Sequence, residues 1–322
     1  MLAILVALFV GFALSFFRLL PSGIARLATR ISMIAVVVLI GSMGAKIGVD
    51  PDLMRNLALF GWQAFVLAVF AVGGSILAVW SLEALGKTKA AEAGLASRAD
   101  LEQDSELTAL ANLDRQQGQA SGYLLTYLIL GAMLLGIAGG YWLMPNTAAE
   151  RLNGVTDWAL YITLWSVGVE LGNSKETLRK VVTLGWRVLL VPVGVALGSI
   201  LGAVLGGLLV HLPFNESAAV GAGFGWYSLS GVLLAQIYTV KLGAIAFLSN
   251  VLRELLAVIM IPLLAKKMSP MVIVAPSGAT AMDTTLPIVA TAAGTQTALI
   301  GFVSGVCLST LVPLLVPFLV KL

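Results

Sequence analysis

A single cysteine and a single histidine are all that 322 residues offer in thiol and imidazole chemistry. A disulfide framework needs pairs and a thiolate metal site needs several ligands, so Cys307, alone in an apolar run, excludes both. His211 falls at an expected helix end, which leaves too little material for a metal cluster or a Ser/His relay. Charge is sparse as well. Only 11% of the residues are Asp, Glu, Lys or Arg, the formal net charge is +3, and no basic tract points to nucleic acid. What is abundant is apolar surface, at 59% of residues, together with 34 glycines. A soluble domain does not combine so much of the first with so little charge. An all-α polytopic membrane protein is expected.

Apolar runs of about 18 residues or more match a ~30 Å hydrocarbon core at ~1.5 Å per residue. They predict eight transmembrane helices, at about 2–17, 31–49, 57–82, 121–144, 155–172, 181–210, 243–265 and 297–320. The first is expected to be a retained span and not a removed signal peptide. Two further segments, about 218–240 and 270–290, are apolar but broken by Gly, Pro and small polar residues. Lys and Arg in short loops set the direction. Arg18, Arg26 and Arg30 place the first loop in the cytoplasm, as do Lys175, Arg179 and Lys180 for a later one and Lys266 and Lys267 for the last. With helix 243–265 running inward, both broken segments must return to the side they entered. They become re-entrant hairpins, and both termini lie outside. The one long polar stretch, 83–120, is expected to be a solvated cytoplasmic linker.

Internal repeats organise the chain. At an offset of 124, Ser42, Gly44 and Gly48 match Ser166, Gly168 and Gly172, and Gly74-Ser75-Ile76-Leu77 matches Gly198-Ser199-Ile200-Leu201. Each unit holds three helices, an odd number, so the copies are expected to be inverted, a common construction of secondary transporters. At an offset of 55, Phe247-Leu248-Ser249 matches Phe302-Val303-Ser304, Pro262 matches Pro317, Gly223 matches Gly278, and Ser228 falls opposite Asp283. Residues 1–210 are thus expected to form a scaffold of two inverted three-helix repeats. Residues 211–322 would form a transport core of two hairpin-plus-helix repeats. Broken backbone at membrane depth must be buried in protein or line a wet cavity, so the hairpin tips should meet near the midplane.

The first hairpin runs Gly223-Phe224-Gly225-Trp226-Tyr227-Ser228-Leu229-Ser230-Gly231. A half-helix starting near Gly225 would aim free N–H groups at a carboxylate, Ser228 and Ser230 add hydroxyls, and Trp226 and Tyr227 could pack on an aliphatic or cationic chain. In the second, Thr280, Thr284 and Thr285 surround Asp283, an ionisable residue in an apolar segment that could hold an ammonium, a sodium ion or a proton. Asn250, Arg253 and Glu254 lie midway along helix 243–265, where ionisable residues are costly. Asn250 and Glu254 share a face, and Glu254 is the expected cation ligand or proton carrier; an Arg253–carboxylate pair would be the structural alternative. An aspartyl protease would need a second aspartate paired with Asp283, and no clear one is present, so an enzyme is not expected. Lys46 and Glu170 are expected to snorkel to the interface, with Asp50 near an exit path.

These stretches, with Arg253-Glu254-Leu255 and Gly278-Ala279-Thr280-Ala281-Met282-Asp283, resemble the signatures of the bacterial lysine exporter family of the LysO type. The resemblance implies eight spans in the inner membrane, both termini outside, and export of L-lysine and its analogue thialysine. It places functionally important intramembrane carboxylates on Glu254 and on Asp50. The expected substrate site then comprises Gly223, Gly225, Trp226, Tyr227, Ser228, Ser230, Asn250, Glu254, Thr280 and Asp283. Glu254, Asp283 and Asp50 are the expected coupling carboxylates. The coupling ion would be a proton, with sodium as the alternative, and no cofactor or metal is expected. Other cargo on the same architecture, another amino acid or an inorganic cation, is the rival reading. Beyond lysine and the lipid bilayer, the Gly-rich scaffold faces permit a homodimer.

Overall fold

The computed structural model describes residues 2–17, 22–86, 128–144, 148–173 and 186–322. The basic residues Arg18, Lys175, Arg179 and Lys180, most of the linker at 83–120, and residues 121–127 and 181–185 lie outside these. Among the described residues the fold is entirely helical. The helices are α1 (Leu2–Phe16), α2 (Ser22–Val49), α3 (Pro51–Arg55), α4 (Leu57–Gly86), α5 (Leu128–Leu143) and α6 (Ala148–Asn173). A 3₁₀ turn (Trp186–Leu189) leads into α7 (Leu190–Leu209), and α8 (Phe214–Gly221), α9 (Tyr227–Ile237), α10 (Val240–Leu264) and α11 (Pro270–Val274) follow. A second 3₁₀ turn (Gly278–Met282), α12 (Leu286–Ala293) and α13 (Thr295–Leu319) complete the order.

Among the described residues, four helices are long and apolar enough to cross a membrane, at Leu57–Ala84, Leu190–Leu209, Val240–Leu264 and Gln296–Leu319. Helices α2 and α6 start earlier than the apolar runs indicate. Their first turns hold residues such as Ala, Arg, Leu and Glu, which favour helix without adding to an apolar window. Short α3 has a local cause. Pro51 takes the first position, where a missing N–H costs nothing, and the Asp50 carboxylate accepts from the N–H groups of Asp52 (2.9 Å) and Leu53 (3.1 Å).

Glycine sets the closest approaches. A Cβ on Gly74 of α4 would fall on the Gly198 carbonyl of α7, and one on Gly198 would fall on the Gly74 carbonyl. These two residues are 124 apart. Gly11 of α1 meets the Trp165 carbonyl of α6, while Gly136 of α5 meets the Gly41 carbonyl of α2, and Trp165 and Gly41 are again 124 apart. The first helix of each three-helix unit therefore packs on the second helix of the other. Without Cβ atoms the backbones approach closely, which is how apolar helices associate where lipid removes the hydrophobic incentive.

The packing falls into two groups. Helices α1 and α2 pack on α6, and α5 packs on α2. Helices α4 and α7 pack on each other, with α4 also on α10 and α11 and α7 on α8. Among the described residues, α4 and α7 have no extended contact with α1, α2 or α6. Both broken segments are hairpins of short helices. In the first, α8 and α9 flank the turn at 222–226; in the second, α11 and α12 flank the 3₁₀ turn. Helix α9 packs on α10, and α12 packs on α13.

Candidate functional site

The two hairpin tips meet directly. The Ala279 N–H donates to the Phe224 carbonyl at 2.8 Å, and these residues are 55 apart. The chain turns sharply there, with Phe224 at φ 48°, Gly225 at φ 95° and Gly278 at φ 61°. A left-handed backbone suits glycine. Gly278 has a second constraint, since a Cβ there would fall on the Phe224 carbonyl. Asn250 of α10 holds the first tip from behind. Its Oδ1 accepts from the Gly225 N–H at 2.6 Å, and its Nδ2 donates to the Ala246 carbonyl (2.9 Å) and to Ser230 Oγ (3.1 Å). Ser230 Oγ donates in turn to the Trp226 carbonyl at 2.8 Å. The unwound backbone is thus satisfied inside the protein, as a medium without water requires. Losing the Asn250 amide would leave the Gly225 N–H buried and unpaired, at about 1–3 kcal/mol.

Beside the tips lies a cavity of about 300 Å³. That is at the lower end of the ~300–1,000 Å³ typical of small-molecule sites. The first hairpin lines it with Gly225, Trp226, Tyr227 and Ser228, and the second with Ala279, Thr280, Met282, Asp283 and Thr284. Glu254 from α10 and Ser309 from α13 complete the hairpin side. The opposite wall is largely apolar, with Met33 and Val36 of α2, Ile129 of α5, and Thr163 and Val167 of α6. Two carboxylates and several hydroxyls face the space, and among the described lining residues there is no Lys or Arg. Asp283 Oδ1 accepts from the Thr284 N–H at 2.6 Å, which fixes the carboxylate's orientation. Glu254 is buried. Helix α9 begins at Tyr227 with no side-chain cap, so its N-terminal end at the cavity wall favours an anionic group.

Seven of the ten expected substrate-site residues line the cavity: Gly225, Trp226, Tyr227, Ser228, Glu254, Thr280 and Asp283. Gly223, Ser230 and Asn250 do not. They form the support behind the tip, where a Cβ on Gly223 would strike the Asn250 amide. Asp50 is elsewhere, exposed and capping α3. Lys46 is buried at 9% exposure and does not reach out to an interface, and the side chain of Glu170 lies outside the described residues. Among the described residues Arg253 forms no pair with a carboxylate; its acceptors there are two carbonyls and two serine hydroxyls. Sequence reasoning missed Ser309 and the wall on α2, α5 and α6. Ser309 had a signal, because it stands 55 residues after Glu254. The wall had none, since helices apolar on all sides do not advertise which face meets a cavity.

The family model described as Lysine exporter LysO matches residues 130–320, more than half of the chain. The chain belongs to this family. Its matched region is 34% identical over 190 residues to "Lysine exporter LysO" of Escherichia coli (strain K12), covering 59% of this chain and 62% of that protein. The match to the "Putative lysine exporter" of Haemophilus influenzae is 33% identical over 190 residues, covering 59% of this chain and 95% of that protein. The chain thus matches less than two thirds of the length of the E. coli relative. No solved structure matches the chain. The matched stretch contains both hairpins, α10 and α13, and so the whole polar side of the cavity. Asp50 falls outside it. Family membership together with the apolar helices makes this a multi-pass membrane protein of a transporter family.

Proposed function

We propose that this protein exports L-lysine from the cytoplasm by alternating access, coupled to inward proton movement. The observation that carries the reading is the cavity at the hairpin tips. It has two carboxylates, a ring of hydroxyls and an uncapped helix N-terminus, with no cationic side chain among its described lining residues. Lysine has one carboxylate and two ammonium groups. The carboxylate would sit at the start of α9 beside Ser228, and Glu254 and Asp283 would take the ammonium groups. The aliphatic chain would lie along Trp226, Tyr227 and the apolar wall. A proton arriving from outside would compete with an ammonium group for one of these two carboxylates, which is the basis of one-for-one exchange. Thialysine, which keeps the carboxylate and both amines, would be carried as well. Asp50 is left out of the coupling set because it caps α3 away from the cavity.

The accompanying topology is eight spans in the inner membrane, with both hairpins re-entrant and both termini outside. Reciprocal glycine contacts across the 124-residue offset support inverted repeats. A homodimer through Gly-rich faces of the scaffold helices belongs to the same reading. The rival readings are another amino acid as cargo and sodium as coupling ion. The test is labelled-lysine efflux from proteoliposomes with pH or sodium gradients imposed separately. Lysine movement driven by a pH gradient supports export by proton exchange. Movement driven by sodium alone would replace the coupling ion, and failure of lysine against competing arginine or ornithine would replace the cargo.

A further inference from the structure

Arg253 neighbours Glu254 on α10 but is not among the cavity-lining residues, and it is buried, 2% exposed. Its guanidinium ties together four segments of chain. Nε donates to the Pro276 carbonyl at 3.2 Å and Nη2 to the Ala275 carbonyl at 3.4 Å. Nη1 donates to Ser199 Oγ of α7 at 2.6 Å, and Nη2 to Ser75 Oγ of α4 at 3.0 Å. The two carbonyls are available because α11 ends at Val274, where the second hairpin breaks. The two serines are repeat equivalents, brought to one place by the contact between Gly74 and Gly198 next to them. Each hydroxyl passes its own proton on, Ser75 to Ala71 (2.8 Å) and Ser199 to the Gly221 carbonyl at the end of α8 (2.7 Å). Among the described residues this charge is therefore held by neutral oxygens, drawn from α4, α7 and the second hairpin. Such a charge tolerates no loss of acceptors.

A second link points the same way. Glu83, near the end of α4, contacts the Ser269 hydroxyl at the entry to the second hairpin. Across the cavity, among the described residues, connections run from α2 to α9 and α10 and from α6 to α9. A sliding surface placed after residue 210, where the repeats divide, would cut the bonds from Arg253 to Ser75 and Ser199 and the Glu83–Ser269 contact. One placed at the cavity would cut none of these.

We propose that Arg253 is a positioning residue that fastens α4 and α7 to the hairpins, so that the surface which slides during transport separates α1, α2, α5 and α6 from the rest. This rests on the alternating-access reading above. Two cysteine pairs test it in a Cys307→Ser background, each compared with the same protein before bridging by a short bis-methanethiosulfonate. Bridging Glu83→Cys to Ser269→Cys, within the proposed body, should leave lysine efflux within about twofold. Bridging Met33→Cys to Met282→Cys, across the cavity, should lower it at least about tenfold, as expected when a domain closure is blocked. Arrest by the first bridge, or free transport with the second, overturns the proposal. In parallel, Arg253→Lys keeps the charge and loses the fork. It should lower the efflux rate per folded transporter at least about tenfold while lysine KM moves less than about threefold, because it changes positioning and not substrate contacts. Lost protein yield with a normal rate in the surviving fraction would mean a stability role only, against the proposal. If the unbridged protein moves no lysine, the cargo reading fails by itself. The bridges are then scored with the amino acid or cation that it does move.

Discussion

At the residue scale, neighbours in sequence do different work because a helix turns about 100° per residue. Glu254 faces the cavity, Arg253 faces the α4–α7 crossing, and Asn250, a turn before Glu254, reaches the Gly225 N–H. Glu254→Gln removes a charge while keeping the shape. It is expected to weaken lysine binding by about 2–5 kcal/mol, the cost of stripping one partner from a buried charge pair, measured by equilibrium binding to the purified protein. Unchanged affinity would remove Glu254 from the site. Asp50→Asn is expected to leave lysine efflux unchanged, because asparagine caps a helix as well as aspartate and the residue is outside the cavity. Efflux assays on this variant that show lost coupling would return Asp50 to the transport path.

At the element scale, the decisive feature is the crossing of α4 and α7 at Gly74 and Gly198. Backbone touches backbone there, so no rotamer can make room for a side chain. Gly198→Val is expected to destabilise the protein by about 1–3 kcal/mol, as overpacked interiors do, and to separate Ser75 from Ser199. Its melting temperature in detergent should fall, and transport should fall with it even in the folded fraction. A melting temperature equal to wild type would show that the crossing has slack. Gly61 of α4, where a Cβ would meet nothing within 4 Å, is the control on the partner helix of the crossing.

At the scale of the whole molecule, the cavity lies where two packing groups meet, and in the proposed mechanism its access passes from one side to the other. In the proposed exchange, one proton entering per lysine cation leaving would move no net charge. Efflux is therefore expected to rise when the outside is acidified and to be indifferent to a potassium-clamped membrane potential, which would otherwise contribute about 2.3 kcal/mol per charge per 100 mV. Strong dependence on potential in clamped vesicles would rule out one-to-one exchange. The same two-group packing explains why α4 and α7, the third helix of each repeat, pack with the hairpins although they are sequence partners of α1, α2, α5 and α6.

Composition and hydropathy alone determined that this is a helical membrane protein, because ~30 Å of hydrocarbon admits few other sequences. The broken hairpins were legible for a related reason. Gly223-Phe224-Gly225 and Ser277-Gly278 cannot continue a helix cheaply, and lipid forbids loose backbone, so they had to turn inside the protein. Glu254 and Asp283 were legible from the cost of placing carboxylates in apolar segments. Tertiary structure alone decided that Asn250 and Ser230 support the tip from behind, that Ser75 and Ser199 hold Arg253, and that Met33, Val36 and Val167 wall the cavity. The physical reason is common to all of these. Where every helix face is apolar, periodicity cannot say which face meets protein and which meets lipid, and close glycine contacts between distant helices make that choice.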